Sequence, residues 1–108
     1  MPQIGPFCFI NRTQSRVTDL LVIFTGTGGT LRAPRITAGP RGQIRARDNT
    51  VTVIWNSPIP RGTRICFTVQ SRFKRIDPYL AIWTRNFNPV GLASEIFVSD
   101  SAPSDSRQ

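Results

Sequence analysis

The stretch Gln43–Trp55, QIRARDNTVTVIW, decides the fold class, because apolar and polar residues alternate on both sides of one short polar break. Successive side chains of a strand point to opposite faces, so this alternation is typical of extended chain. Asp48 and Asn49 separate the two runs, and both residue types tolerate the left-handed backbone of a two-residue hairpin turn. The stretch therefore predicts an antiparallel hairpin from Gln43–Arg47 to Thr50–Trp55.

Short runs of the same kind recur along the chain, separated by breaks rich in Gly, Pro and Ser. Val17–Thr25 is a continuous apolar run and is expected in the middle of a sheet. Pro34 removes a ladder donor, so its run is expected at an edge or a bulge. Besides the hairpin, the predicted strands are Pro6–Arg12, Val17–Thr25, Thr30–Thr37, Thr63–Gln70, Tyr79–Arg85 and Glu95–Val98. The pattern predicts an all-β, antiparallel two-sheet β-sandwich, immunoglobulin-like or jelly-roll-like, of about 7–8 short strands.

Length and composition agree with one small β domain. The 108 residues suit a single core. Val, Ile and Thr number 29, whereas Ala, Leu, Glu, Lys, Met and Gln together number 19, which argues against a helical protein. No apolar run approaches the roughly 20 residues that a membrane-spanning helix needs. We expect a single sandwich domain over residues 1–98 and a flexible polar tail over residues 99–108.

The stretch Asn49–Ser71, NTVTVIWNSPIPRGTRICFTVQS, resembles the strand, corner and strand found late in fibronectin type III and other immunoglobulin-like modules. In those modules a Leu-x-Pro-Gly-Thr corner leads into a strand of alternating apolar residues. Here Ile59–Thr63 occupies the corner, with Arg61 inserted between the Pro and the Gly. Ile65 or Cys66 stands where those families usually place a Tyr. The resemblance implies a β-sandwich fold and carries no function.

Charge is the most unusual property of the chain. The formal net charge is +8, and the cations are 13 Arg and one Lys. Residues 30–47 and 61–75 each sum to +5, so two segments produce most of the field. Such a field attracts polyanions or an acidic protein partner, although a GC-rich coding sequence would give the same Arg bias. The predicted polyanion-binding or partner-binding residues are Arg32, Arg35, Arg41, Arg45, Arg47, Arg61, Arg64, Arg72, Lys74 and Arg75.

Two pairs of cations have the spacing of one strand face. Arg45 and Arg47 are two residues apart in a predicted strand, and Arg72 and Lys74 repeat that spacing. Alternate side chains of a strand are about 7 Å apart, which is roughly one nucleotide step. The pairs therefore predict a basic stripe, with a solvated outer face as the alternative.

Catalytic and metal-binding constellations are missing from the sequence. The chain has no His, which removes the commonest general base, the usual zinc ligand and every Ser-His or Cys-His arrangement. Asp19, Asp48, Asp77 and Glu95 form no recognisable acid–base pair. The Gly-Thr-Gly-Gly run at residues 26–29 lacks the Lys-Ser/Thr of a phosphate-binding loop and is expected in a hairpin loop. We predict a non-enzymatic protein with no metal and no cofactor.

The aromatic residues offer one alternative function. Tyr79 and Trp83 share a face under strict alternation and could stack on sugars or unpaired bases. A core position is favoured for Trp83, as it is for Trp55.

Cys8 and Cys66 are expected on strands in the two halves of the fold, outside the central core. Free thiols are favoured over a bridge because no export signal is visible, although a bridge would stabilise by roughly 4 kcal/mol. Cytoplasmic synthesis and a virion-associated location are expected, with an extracellular surface as the alternative. Asn11-Arg12-Thr13 is a glycosylation sequon, which carries little weight without a secretory route.

Taken together, the residues predict a structural or binding module that docks within a larger assembly. Virion decoration, tail and capsid-associated proteins, or a surface filament subunit, fit this class. The expected partner is a protein, or a further copy of the chain, with an acidic surface. The alternatives are a sequence-tolerant nucleic-acid or polyanion binder that uses the Arg-rich face, and a carbohydrate-binding module that uses Tyr79 and Trp83.

Overall fold

A computed structural model describes residues 3–27 and 31–96 as an all-β domain. The strands of this described part are β1 Gln3–Ile10, β2 Val17–Thr25, β3 Arg32–Ala38, β4 Gln43–Arg47, β5 Thr50–Ile59, β6 Arg64–Gln70, β7 Asp77–Arg85, β8 Asn88–Leu92 and β9 Glu95–Ile96. β2 and β4 have the predicted bounds. β8 was not predicted, because Pro89 and Gly91 interrupt its alternation. The predicted tail over residues 99–108 lies outside the described residues.

The strands form two antiparallel sheets packed as a sandwich. One sheet has four strands in the order β3-β6-β1-β9, and the other has five in the order β4-β5-β2-β7-β8. The apolar run of β2 occupies the centre of the five-stranded sheet, as predicted. β3 is an edge strand with two register shifts, and Ala33 has a φ of 46°. Pro34 thus lies where the missing donor costs least.

The core lies between the two sheets and is rich in aromatic residues. The rings of Phe7 and Phe24 meet edge to face at 4.9 Å across the interface. Phe67 contacts Phe7, Phe9 and Phe24 with centroid distances near 6 Å. Such aromatic pairs add about 0.5–1.5 kcal/mol each beyond the area that they bury. The core between the sheets therefore consists chiefly of Phe, Val and Ile side chains.

A disulfide joins Cys8 of β1 to Cys66 of β6, so the expectation of free thiols is wrong. The placement of the two cysteines in different halves of the fold is also wrong, because β1 and β6 are neighbours and the two residues are direct cross-strand partners. Both side chains are buried and lie outside the core cluster that contains Phe7 and Phe9. Alternation correctly placed the two cysteines on the face of β1 and β6 opposite the Phe side chains of those strands. Single-strand patterns could not show that these strands pair.

Asn11 links the loop after β1 to the corner before β6. Its Nδ2 donates to Ser15 O at 3.0 Å, and its Oδ1 accepts from the Thr13 amide at 3.0 Å. Its backbone N–H donates to Thr63 O at 2.9 Å, and the Gly62 N–H donates to Asn11 O at 2.7 Å. The side chain is fully buried, so the sequon asparagine holds the corner and has no room for a glycan in the native fold.

β5 continues past its predicted end at Trp55 as far as Ile59, and the turn lies at Arg61 and Gly62. A register shift between the pairs Val17–Ile59 and Asp19–Ile54 absorbs the extra residues of β5. No helix able to cross a bilayer occurs among residues 3–27 and 31–96.

Candidate cationic docking surface

All thirteen cationic side chains of the described residues are exposed. Four carboxylates, those of Asp19, Asp48, Asp77 and Glu95, accompany them in the same part of the chain. Arg61 is the one described cation with a hydrogen-bond partner in the described chain, Gln14 Oε1 at 3.3 Å. The guanidinium groups therefore face water, and the positive field that they produce is free to act on a partner.

The structure distributes the predicted cations over several surfaces instead of one stripe. Arg45 and Arg47 lie side by side on the outward face of β4, as predicted. Arg72 and Lys74 do not lie on a strand, because the chain bends at residues 72–74 between β6 and β7, and Arg75 follows in the same loop. The predicted strand pair of Arg72 and Lys74 is therefore wrong. The other predicted cations lie on β3 (Arg32, Arg35), at the start of β6 (Arg64), or in turns and loops (Arg41, Arg61).

The outward surface of the five-stranded sheet is unusually apolar. We call it the outer face and define it by Leu21, Ile23, Ile54, Leu80, Ile82 and Leu92. These residues follow from register, since residues that pair directly in antiparallel strands point the same way. Leu92 is 74% exposed and the other five are half-buried. No described strand of the other sheet makes extensive contact with this side, so these apolar side chains stay partly accessible to solvent.

A shallow groove of about 460 Å³ opens at the β4 side of the outer face. Its floor is formed by Thr50, Thr52 and Ile54 of β5. Arg45 and Arg47 line it from β4, together with Asp48 of the hairpin turn, and Phe87 lines it from the turn between β7 and β8. The register places Arg45 beside Thr52 and Arg47 beside Thr50. The groove therefore combines two cations and one carboxylate with an apolar ring, and its net charge is positive.

The β7–β8 turn that carries Phe87 is held from below by Asp19. Asn86 and Phe87 both adopt left-handed backbone, with φ values of 51° and 65°. The Phe87 N–H donates to Asp19 Oδ2 at 3.0 Å, and the Asn86 N–H donates to Thr18 Oγ1 at 2.8 Å. The Asp19 carboxylate is buried and also accepts hydrogen bonds from the hydroxyls of Thr18 and Thr84. A buried acid thus fixes the turn while the Phe87 ring stays 65% exposed.

No protein-family model, curated protein or solved structure matches this chain. The chemistry of the candidate surface follows from its own residues. Its one buried carboxylate, Asp19, has hydroxyl and amide partners and faces no second acid among the described residues. No group of three or more His, Cys, Asp or Glu side chains within residues 3–27 and 31–96 is placed to hold a metal ion.

Trp83 does not contribute to a stacking platform. Its ring is buried, packs against Trp55 with a centroid distance of 6.4 Å, and cannot reach a ligand. Tyr79 is 72% exposed but lies at a register shift between the pairs Ile23–Leu80 and Phe24–Pro78. That shift breaks the strict alternation that placed Tyr79 and Trp83 on one surface. The predicted platform is therefore wrong, and the aromatic ring beside the cations is Phe87.

Proposed function

We propose that this protein is a non-enzymatic binding module that docks on an acidic partner protein within a larger assembly. The observation that supports the proposal best is the outer face, an apolar surface bordered by the exposed cations Arg45 and Arg47. Contiguous apolar surface beside polar residues is characteristic of protein interaction sites. Charged groups at the border of such a surface give orientation and association rate more than raw affinity.

The charge balance favours an acidic partner over a second copy of the chain. Thirteen described cations against four carboxylates give each copy a strong positive field, so two copies repel each other at low salt. An acidic surface gains from the same field and is oriented by it. The virion or filament setting stays a prediction.

A second candidate function is sequence-tolerant binding of single-stranded nucleic acid. Arg45 and Arg47 have the spacing of about one nucleotide step, and the exposed ring of Phe87 lies in the same groove. The surrounding outer face is aliphatic, however, and base stacking needs flat aromatic surfaces. Aliphatic side chains pack equally well against the apolar residues of a protein, which is why a protein partner is the first candidate.

Three labelled probes separate these functions by fluorescence anisotropy. They are poly-glutamate, a copolymer of Glu and Leu, and an oligonucleotide of thymidines, each titrated at about 50 mM and about 300 mM salt. We expect the Glu–Leu copolymer to retain most of its affinity at the higher salt, because apolar contacts are not screened, while poly-glutamate loses its affinity. Failure of the copolymer to bind would overturn the proposal. If the oligonucleotide binds more tightly than the Glu–Leu copolymer at the higher salt, nucleic-acid binding replaces the proposed function.

A further inference from the structure

The Phe87 turn uses a backbone conformation that a residue with a side chain adopts only at a cost. Left-handed backbone costs a residue with a side chain about 1–2 kcal/mol, and Gly would adopt it freely. A bulky aromatic residue in this conformation is a true outlier. Most of the Phe87 ring faces water, so core burial does not account for the choice of Phe. Strained residues of this kind concentrate at functional sites.

The support beneath the turn is costly as well. Asp19 interrupts the otherwise apolar outward side of β2, and the residue is only 2% exposed. Its partners are two hydroxyls and one backbone N–H, with no cation among them in the described chain. A buried carboxylate is tolerated only when hydrogen bonds satisfy it. These hydrogen bonds fix the position of the Phe87 backbone at the edge of the groove.

We propose that the groove binds an extended acidic segment of the partner protein, with Phe87 as its anchor and Asp19 as the positioning residue. Carboxylates on alternate residues of the segment pair with Arg45 and Arg47, and a neighbouring apolar side chain packs on Phe87 and Ile54. The inference rests on the proposed function, because it names where the acidic partner docks and the form that the segment takes.

The spacing of the two cations supports an extended segment. Arg45 and Arg47 are two residues apart in β4 and both line the groove. Side chains at alternate positions of an extended chain are also about 7 Å apart on one side. A segment with the pattern acidic-x-acidic therefore matches both cations at once. Adjacent carboxylates cannot, because they point to opposite sides of an extended chain.

The groove is open to solvent along the outward side of β4 and β5, so an extended segment can lie in it. Thr50 and Thr52 form the floor beside the two cations and present hydroxyls to a backbone that lies across them. Arginine pairs with carboxylates through two parallel hydrogen bonds, which adds specificity to the charge attraction. Aromatic and Arg side chains are also the residues that most often dominate binding energy at protein interfaces.

Two peptides of identical composition test the register. In the first, Glu and Leu alternate; in the second, the same residues are rearranged so that the Glu residues are adjacent. Binding is followed by NMR titration of the isotope-labelled full-length chain through the Arg45 and Arg47 side-chain Nε–H signals and the Phe87 amide. We expect the alternating peptide to bind at least about fivefold more tightly and to shift these three signals first.

Matched variants then test the location. Arg45→Ala with Arg47→Ala, and separately Phe87→Asn, should each weaken the alternating peptide about tenfold or more. Asn tolerates left-handed backbone, so this variant keeps the turn. The controls remove the same chemistry elsewhere: Arg32→Ala with Arg35→Ala on β3, and Phe73→Asn in the β6–β7 loop, where Phe73 is 49% exposed. The controls should change the affinity less than about twofold.

Asp19→Asn tests the positioning role. Hydrogen exchange at the Phe87 amide should accelerate and the peptide affinity should fall, because the carboxylate that accepts the Phe87 N–H is replaced by a weaker acceptor. Faster exchange at the Phe87 amide with unchanged peptide affinity would show that Asp19 does not position the binding site.

The results separate the site from the function. If the wild-type chain binds the Glu–Leu copolymer and the groove variants bind it as tightly as the controls do, the docking module survives and the groove is wrong. If the wild-type chain does not bind the copolymer, the proposed function itself fails. Equal affinity for the two peptides would overturn the extended segment, and dimerisation at high salt that Phe87→Asn abolishes would assign the surface to a second copy.

Discussion

Reduction of the Cys8–Cys66 disulfide is expected to lower the free energy of unfolding by about 4 kcal/mol. The bridge spans a sequence separation of 58 residues and joins two neighbouring strands of the four-stranded sheet. In the chain-entropy treatment, a closed loop of this length removes about 14 cal/mol/K from the unfolded ensemble, which is about 4 kcal/mol at 25 °C. A domain of this size has a total stability of about 5–15 kcal/mol, so the loss is large.

Urea unfolding with and without a reductant measures this effect. With an m value of about 1.5 kcal/mol/M, the midpoint should fall by roughly 3 M on reduction. The m value should also rise, because the reduced chain unfolds to a more open ensemble that exposes more surface. The double variant Cys8→Ala with Cys66→Ala should resemble the reduced wild-type chain, with a small extra loss from the missing buried sulfur atoms.

Two results would refute this reasoning. Midpoints within about 0.5 M of each other would show that the bridge does not constrain the unfolded chain. A large loss of stability with an unchanged m value would place the effect in the native state, where the bridge holds β1 against β6, and not in the entropy of the unfolded ensemble.

Three further predictions concern single features. Asn11→Ala should lower the free energy of unfolding by about 1–3 kcal/mol in urea, because it removes a fully buried side chain whose hydrogen bonds hold the Ile59 and Ser15 carbonyls and the Thr13 amide. A loss below about 0.5 kcal/mol would contradict the role of Asn11 at the corner. Gly62→Ala should lower the free energy of unfolding by about 1 kcal/mol from its φ of 91° alone, since an added Cβ meets nothing. Gly39→Ala should lower it several times more, because its Cβ would fall against a backbone carbonyl of β6. Similar losses for the two variants would exclude the steric argument. Trp55 and Trp83 should emit at short wavelength and resist acrylamide quenching, and soluble glycans should leave their spectrum unchanged; a red-shifted, quenchable spectrum would place a tryptophan at the surface.

The strands that the sequence predicts best are those that depend on local pattern alone. β2 and β4 have the expected bounds, and Asp48 of the predicted turn adopts left-handed backbone with a φ of 55°. β8 was not predicted, because Pro89 and Gly91 are residue types typical of loops. Which strands become neighbours depends on long-range packing, which the pattern of a single strand does not contain. The disulfide between β1 and β6 therefore could not be predicted from local pattern.

The cation surface illustrates the same limit. Exposure of every described arginine follows from the cost of burying a charge, so it could be predicted without coordinates. Their grouping could not, because it depends on which strands face outward and where loops interrupt them. Arg45 and Arg47 lie on a well-formed strand and kept their predicted relation. Arg72 and Lys74 follow the end of β6 at Gln70, where the two-residue period no longer applies.

The position of Phe87 in a left-handed turn could not be predicted from the adjacent sequence, because Arg-Asn-Phe-Asn contains no Gly to mark such a turn. The sequence feature that indicates this turn is the lone Asp19 within the run VTDLLVIFT of β2. A carboxylate on a central strand must find hydrogen-bond donors, and the nearest unsatisfied donors belong to turns at the end of the sheet. Asp19 therefore predicts that a turn folds back over β2, and the residue at the tip of that turn is placed on the outer face. An internal acid that fixes an external aromatic ring beside two arginines is the feature that distinguishes the outer face from an ordinary solvated surface.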